Sequence, residues 1–223
     1  MNKSHLSRKM FGIPRVSEEI EIIEEGPSSD LKFFNPENRL VTLTEEIDNR
    51  TAMKVIDDLY LAEATEDAPV VLIINSPGGS AYSTLSIVDA IQAMSVPVIG
   101  LTMGLAASGG FYAFQACTHR VMLKNSILFW HEMIHMDDGL IRTGGEAEKR
   151  MKDYKKLNDH ILTFFKKKIN ISAENWKKTF ENRNDLSFNS TEAIRAGLAD
   201  KAIVKMSQLS VYFKAYEKAK GKK

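Results

Sequence analysis

The chain has 223 residues, 43% of them hydrophobic, and a formal net charge of +1 at pH 7, which is typical of one sizeable globular domain and argues against a dedicated nucleic-acid-binding protein. Its single cysteine, Cys117, excludes an internal disulfide and a cysteine-based metal cluster. No apolar run approaches the roughly 18 residues that span a bilayer, and Met1–Pro14 lacks the apolar region of a secretory signal, so we expect a cytoplasmic protein without a membrane partner.

The first part of the chain divides into an arm and the start of a globular domain. We interpret residues 1–33 as an N-terminal arm, because a basic start gives way to an acidic stretch and then to Gly26-Pro27-Ser28-Ser29. From Leu40 the hydrophobic pattern becomes that of alternating strands and helices. It predicts a strand at Leu40–Leu43, a helix at Asp48–Ala64, a buried strand at Val70–Ile74, a sharp turn at Asn75–Ser80 and a helix that runs to Met94.

The segment Gly104-Leu105-Ala106-Ala107-Ser108-Gly109-Gly110 follows a predicted strand at Val96–Leu101. Six of its seven residues are Gly, Ala or Ser, which predicts a tight turn and then a helix that begins at or next to Ser108. A hydroxyl at such a junction is held by rigid backbone near the positive end of a helix dipole. Ser108 is therefore a candidate for chemistry.

The second half of the chain continues the α/β pattern. It predicts strands at Arg120–Lys124 and Ile127–Trp130, a long amphipathic helix at Glu146–Lys168, helices at Trp176–Phe180 and Ser190–Ala196, and a last strand at Ala202–Val204. We interpret the Lys-rich residues 207–223 as a frayed amphipathic tail.

A serine nucleophile needs a base, a group that orients the base, and donors for the oxyanion. His131 follows the strand at Ile127–Trp130, and Asp185 lies in a polar turn before the helix at Ser190. Gly78 and Gly109 lie in turns where backbone N–H groups are exposed. Periodicity alone does not select this set from the other polar residues of the chain.

Four blocks of sequence resemble the ClpP family of self-compartmentalising serine peptidases, in the family's order and over roughly Arg39–Val204. The blocks are Ile74–Ser80, Gly104–Gly110, Asn125-Ser126 running through to His131, and Asp185 followed by Ser190-Thr191-Glu192-Ala193 and Gly197–Asp200.

The resemblance implies an α/β fold, the ClpP/crotonase-like spiral of β-β-α units with a long handle helix, over residues 34–206. It implies that Ser108 is the nucleophile, His131 the base and Asp185 the third member of the triad, with the amides of Gly78 and Gly109 as oxyanion donors. Such an enzyme hydrolyses unfolded polypeptides without a cofactor or metal. Because the base must be neutral, its rate should rise as the pH climbs through roughly 6 to 7.

The resemblance also implies a homo-oligomer of two stacked seven-membered rings around a sealed chamber, with an ATP-driven unfoldase as a possible partner. The chain departs from the family's pattern at several places. Glu132-Met133 follows the histidine where Gln-Pro is common, Asn184 stands where an arginine often bridges the rings, and residues 1–38 differ from the usual amino-terminal segment.

Three alternatives stay open at this point. The chain could be a catalytically silent ring subunit, or a specialised phage-type protease that matures capsid proteins without an unfoldase. It could also be a zinc peptidase, because His131-Glu132-Met133-Ile134-His135 matches the pattern H-E-x-x-H. In zinc peptidases that pattern places two histidines one turn apart on a helix, whereas here it follows a strand-like run.

Overall fold

A computed structural model of the chain describes residues 39–132, 143–168 and 185–221. Its strands are β1 (Leu40–Leu43), β2 (Val70–Ser76), β3 (Val98–Ala107), β4 (His119–Leu123), β5 (Ile127–His131), β6 (Asp185–Asn189) and β7 (Lys201–Ile203). Its α-helices are α1 (Asn49–Thr65), α2 (Ala81–Ala93), α3 (Gly109–Ala116), α4 (Gly144–Lys168), α5 (Ser190–Arg195) and α6 (Ser210–Lys220). The predicted arm at residues 1–33 and the predicted helix at Trp176–Phe180 lie outside the described residues.

The seven strands form one sheet in which β1, β2, β3, β4 and β7 are neighbours in that order. All of these neighbours run parallel. Strand β5 pairs parallel with β3, and β6 pairs antiparallel with β5. Each of the first three strands is followed by a helix, the arrangement that parallel pairing requires. The predicted α/β fold class is confirmed.

Strand β3 is longer than predicted and changes its partner halfway. Its first half pairs with β4 through Ile99–Thr102, and its second half pairs with β5 through Leu105–Ala107. On its other side, Thr102 lies opposite Ile74 and Ala106 lies opposite Ser76. An advance of four residues along β3 thus corresponds to an advance of two residues along β2, so β3 carries a two-residue bulge. Gly104 lies within this bulge and has a φ of +88°. The prediction of a turn over Gly104–Ala107 is therefore wrong, because these residues continue β3 as a bulged strand. The chain turns only at Ser108.

The sheet has a buried apolar cluster on each face. The larger cluster joins alternate residues of the strands to α1, α2, α3 and α4. The smaller cluster joins Val71, Ile99, Leu101, Val121 and Ile203 of the strands to Leu209 and Phe213. Phe213 belongs to α6 and is only 2% exposed. The prediction of a frayed tail is therefore wrong for the described residues up to Gly221, because the apolar side of the tail packs on the sheet.

In the described ranges, no helix combines the length and the apolar character that crossing a membrane demands.

Candidate active site

Ser108 stands at the junction between β3 and α3 with a φ of 49° and a ψ of −116°. Of the residues that the structure describes, it is the only one other than glycine with a positive φ. Such conformations are uncommon for residues with a Cβ and cluster at functional sites. Its N–H donates to the Phe129 carbonyl at 3.0 Å, and the half-buried side chain projects from the start of α3. The predicted helix start next to Ser108 is confirmed.

Two glycines allow close packing around the start of α3. A Cβ on Gly78 would lie 2.6 Å from both the Ser108 Cβ and the Gly109 nitrogen. A Cβ on Gly109 would lie 2.3 Å from the Thr84 Oγ1. A real Cβ does not tolerate such distances, so glycine at position 78 lets the Pro77–Gly78–Gly79 turn lie against the start of α3, and glycine at position 109 lets the start of α3 lie against Thr84 of α2.

The glycine turn is tied to the segment before α1. Ile47 donates its N–H to the Gly78 carbonyl at 2.8 Å and accepts from the Ser80 N–H at 2.7 Å. The buried Ser76 hydroxyl donates to the Glu45 carbonyl at 2.6 Å. Every one of these contacts fixes the turn relative to the sheet.

The amides of the turn are not equally available to an oxyanion. The Gly78 N–H, predicted as a donor, is donated to the Ser76 Oγ at 3.1 Å. It can serve an oxyanion only if this hydrogen bond breaks. The Gly79 N–H, next along the turn, makes no hydrogen bond to another described residue. The Gly109 N–H belongs to the first turn of α3, where amides have no partner within the helix.

His131 and Asp185 lie opposite each other on adjacent antiparallel strands. His131 is the last residue of β5, Asp185 is the first of β6, and the two form a cross-strand pair. Directly opposed residues have Cα atoms about 4.5–5.5 Å apart and side chains on the same face. Asp185 was predicted in a polar turn, and that prediction is wrong because β5 supplies a pairing partner and extends it into a strand.

The three predicted residues therefore lie at the same end of the sheet. Because β3 and β5 are parallel, their carboxyl ends share that end, and the antiparallel β6 begins there. Ala107, which precedes Ser108, pairs with Phe129 of β5. His131 lies two residues beyond Phe129, about 7 Å farther along that strand.

The structure does not join these side chains by hydrogen bonds. The His131 Nδ1 instead contacts the Glu132 carbonyl oxygen, and no bond links Ser108, His131 and Asp185 within the described residues. In a neutral imidazole whose Nδ1 donates to that carbonyl, Nε2 is the acceptor, which is the nitrogen that would take a proton from a serine.

A buried hydrogen bond links β5, the strand of His131, to α3, the helix that follows Ser108. The indole Nε1 of Trp130 donates to the Tyr112 hydroxyl at 2.9 Å. Burial raises the pKa of Tyr112 far above its ordinary value, so the phenol stays neutral and able to accept. The rings of Phe111 and Phe165 pack edge-on beside it. Sequence reasoning missed this link, although a Tyr and a Trp in apolar runs do signal buried polar groups that need partners.

Side chains that hold the bulge of β3 were also missed. The Asn75 Oδ1 accepts from the Leu105 N–H at 3.1 Å. The buried Ser126 Oγ accepts from the Gly104 N–H at 3.2 Å and donates to the Thr102 carbonyl at 2.6 Å. Both residues lie in the blocks that carry the resemblance. The only sequence signal for their role was position, since Asn75 comes just before the glycine turn and Ser126 just before β5.

The structure bears directly on the H-E-x-x-H pattern. Its first histidine, His131, ends an extended strand, and Glu132 follows outside any helix. His135 lies outside the described residues. The helical spacing that a zinc peptidase needs is therefore absent at the start of the motif.

Comparison with known proteins gives a consistent result. The model of the family described as Clp protease matches residues 31–206. The chain is 30% identical over 171 residues to the ATP-dependent Clp protease proteolytic subunit 1 of Prochlorococcus marinus, a match that covers 73% of this chain and 82% of that protein. It is 26% identical over 175 residues to proteolytic subunit 2 of Pseudomonas aeruginosa, covering 78% and 85% of the two chains. It is 26% identical over 205 residues to the proteolytic subunit of Mesostigma viride, covering 89% and 86%.

Proposed function

Because the chain belongs to the Clp protease family, as a divergent ClpP member, we propose that it is a serine endopeptidase subunit that hydrolyses peptide bonds of extended polypeptides. We assign Ser108 as the nucleophile, His131 as the general base and Asp185 as the group that orients His131. The peptidase domain spans residues 34–206. The observation that carries the proposal is the positive-φ backbone of Ser108 at the end of the sheet where His131 and Asp185 form a cross-strand pair.

The reaction is acyl transfer in two steps. The Ser108 Oγ attacks the peptide carbonyl carbon while the His131 Nε2 takes the hydroxyl proton. His131 then gives that proton to the leaving amine as the C–N bond breaks. A water attacks the acyl-enzyme by the same route, and the Ser108 hydroxyl is restored. Asp185 would accept from Nδ1–H once that nitrogen leaves the Glu132 carbonyl, and would stabilise the imidazolium.

The oxyanion needs preorganised N–H donors. We propose the Gly109 amide as one donor and an amide of the Gly78–Gly79 turn as the other. Gly78 serves if its hydrogen bond to Ser76 breaks, whereas Gly79 needs no such change. Losing a single donor of this kind typically costs about 2.7–4 kcal/mol of barrier, so the rigid turn matters as much as the triad.

We further propose that the chain works as an oligomer in the cytoplasm. The relatives are named proteolytic subunits of an ATP-dependent protease, and by resemblance the assembly is two stacked heptameric rings around a chamber. An ATP-driven unfoldase is the partner that would supply unfolded chain. The proposal needs no nucleic acid, membrane, metal or cofactor for cleavage.

A single labelling experiment tests the proposed chemistry. We expect a fluorophosphonate probe to label the wild-type chain on Ser108 and Ser108→Ala to remain unlabelled, with peptide hydrolysis reduced by at least about 10³-fold. Ser86→Ala, on the exposed side of α2, is the matched control and should label like wild type. Native mass measurement of the labelled sample gives the number of subunits.

One observation favours a second candidate, a catalytically silent ring subunit. The described structure contains no hydrogen bond between Ser108, His131 and Asp185, and the His131 Nδ1 is engaged by Glu132. A ring that assembles normally but takes up no probe at pH 8 would establish the silent subunit and contradict the enzyme.

A further inference from the structure

The bulge in β3 is held on both sides by side chains that have no other assigned role. On one side, the register between β2 and β3 jumps between Ile74 and Ser76, and Asn75 is the residue at the jump. On the other side, β3 leaves β4 after Thr102 and joins β5 at Leu105. Ser126 lies at that point, just before β5 begins.

Each side chain satisfies backbone groups that the bulge would otherwise leave unpaired. The Asn75 Oδ1 takes the Leu105 N–H, and the Ser126 Oγ takes the Gly104 N–H while donating to the Thr102 carbonyl. The Ser126 bond to the Thr102 carbonyl is buried, and buried backbone groups without partners are rare because each costs free energy. Ser126 is 1% exposed, so bulk solvent does not reach its hydroxyl.

The bulge determines where Ser108 lies relative to His131. After the two extra residues, Ala106 and Ala107 pair with Leu128 and Phe129, and the Ser108 N–H reaches the Phe129 carbonyl. Each residue of slippage along β5 would move Ser108 by about 3.3 Å relative to His131. Bulges beside active sites often re-aim a side chain in this way.

We propose that Ser126 and Asn75 are positioning residues that clamp the β3 bulge and so hold Ser108 in register with His131. This inference rests on the proposed function for its kinetic consequence, but its structural consequence stands alone. Neither residue touches the reacting atoms in the mechanism above. Loss of either clamp should loosen the segment Met103–Ser108 and misplace the nucleophile.

The test compares Ser126→Ala and Asn75→Leu with a control that removes a hydrogen bond to the other end of β3. The Thr118 Oγ1 accepts from the Val98 N–H at 3.2 Å, so Thr118→Val removes a similar hydroxyl-to-amide bond at the far end of β3. Asn75→Asp keeps the acceptor oxygen and serves as the conservative rescue. All variants are made in the full chain. Asn75 is exposed, so Asn75→Leu still tests the proposal if Ser126→Ala does not fold.

The first readout is amide hydrogen exchange of Gly104 and Leu105, which needs no activity. We expect exchange to accelerate at least about tenfold in Ser126→Ala and Asn75→Leu and to stay at the wild-type rate in Thr118→Val and Asn75→Asp. Unchanged exchange in both clamp variants would overturn the inference, whether or not the chain is an enzyme.

The second readout is catalysis on a short fluorogenic peptide. We expect kcat and the fluorophosphonate labelling rate to fall by about 10- to 100-fold in both clamp variants, since small misplacements cost that much. KM should stay within about threefold, and Thr118→Val should match wild type in both parameters. Clamp variants that are loosened but label as fast as wild type would overturn the positioning role. A wild-type chain that does not label would instead contradict the proposed function, and the exchange result would still decide on the clamp.

Discussion

The proposed proton transfer involves Ser108, which follows β3, His131, which ends β5, and Asp185, which begins β6. Asp185 is exposed and lies across from His131 on the face that also carries Phe129. A carboxylate in that place can fix the ring of the histidine and stabilise its charged form. The His131 ring is held now by the Glu132 carbonyl and by its neighbour Phe129, with ring centroids 5.9 Å apart. Substrate binding would have to rotate the ring toward Asp185.

Asp185→Asn tests this orientation role. The amide keeps the shape of the side chain but removes the charge that stabilises an imidazolium, so we expect kcat to fall by about 10²- to 10⁴-fold with little change in KM. Ser187→Ala is the control, because Ser187 is the next residue on the same face of β6 and lies opposite Phe129. A folded Asp185→Asn enzyme with wild-type kcat would remove Asp185 from the mechanism.

Individual residues show where sequence analysis was sufficient and where it was not. The motif blocks selected Ser108, His131 and Asp185, and the parallel pairing of β3 with β5 and the antiparallel pairing of β5 with β6 explain why they lie at the same end of the sheet. The engagement of the Gly78 N–H by Ser76 was missed, although a serine two residues before an amide is the local pattern of an ST turn. The bond from the Ser76 hydroxyl to the Glu45 carbonyl could not be foreseen, because a contact between residues so far apart leaves no mark in a local pattern.

At the level of elements, α6 is fastened to the loop between α1 and β2. The Tyr216 hydroxyl donates to the Asp67 carboxylate, and the Lys220 Nζ lies 3.0 Å from the other carboxylate oxygen. The hydrogen bond from Tyr216 lowers the pKa of Asp67 most, and the hydrogen bond from Lys220 lowers it further. The bond from Tyr216 also raises the pKa of Tyr216 itself to about 12. The two shifts define opposite pH limits for the docking of α6.

The docking of α6 should therefore weaken at both extremes of pH. Because the folded-state pKa of Asp67 is lowered, its contribution is present above the unfolded value of about 3.9 and is lost as the pH falls through the folded value. Because that of Tyr216 is raised, its contribution is present below about 10 and is lost as the pH rises toward 12. The protection factors of α6 amides, in which the pH dependence of intrinsic exchange is removed, should fall in both ranges.

Asp67→Asn isolates the acid limb of this profile. At pH 7 the variant should exchange its α6 amides faster than wild type, and the difference should shrink as the pH falls through the lowered folded-state pKa of Asp67, because the wild-type carboxylate then loses its charge as well. Asp58→Asn is the control, because Asp58 pairs with Lys54 on α1 and has no contact with α6 among the bonds of the described residues. A difference that persists at acid pH would mean that Asp67 acts by shape and not by charge.

Elements were predicted well where periodicity was regular and poorly where pairing partners decide. The predicted strand at Leu40–Leu43 is confirmed, and the helix predicted to begin at Asp48 starts one residue later with Asp48 as its N-cap. The run Gly104–Ala107 was predicted as a turn because small residues dominate it. It is a strand because β2 and β5 supply hydrogen-bond partners on both sides, and only the order of strands in the sheet reveals that.

Considered as a whole, the molecule buries both faces of one sheet, and the second face depends on chain beyond the family match. That match ends at residue 206, whereas Leu209 and Phe213 complete the smaller cluster. The tail was predicted to fray because its lysines dominate its composition. Its apolar residues are few but fall on one side of a helix, and the uncovered sheet face decides that they pack.

Phe213→Ala tests whether α6 contributes to the stability of the whole molecule. Truncating a buried Phe costs about 3–5 kcal/mol because apolar contacts are lost and a cavity remains. Val211→Ala is the control on the same helix, since Val211 is 48% exposed and such changes stay within about 0.5 kcal/mol. Urea unfolding at one fixed protein concentration measures both variants, because assembly would shift the midpoint. If Phe213→Ala unfolds at the wild-type midpoint while α6 amides exchange freely, the helix is only an appendage, and the sheet is stable with its second face uncovered.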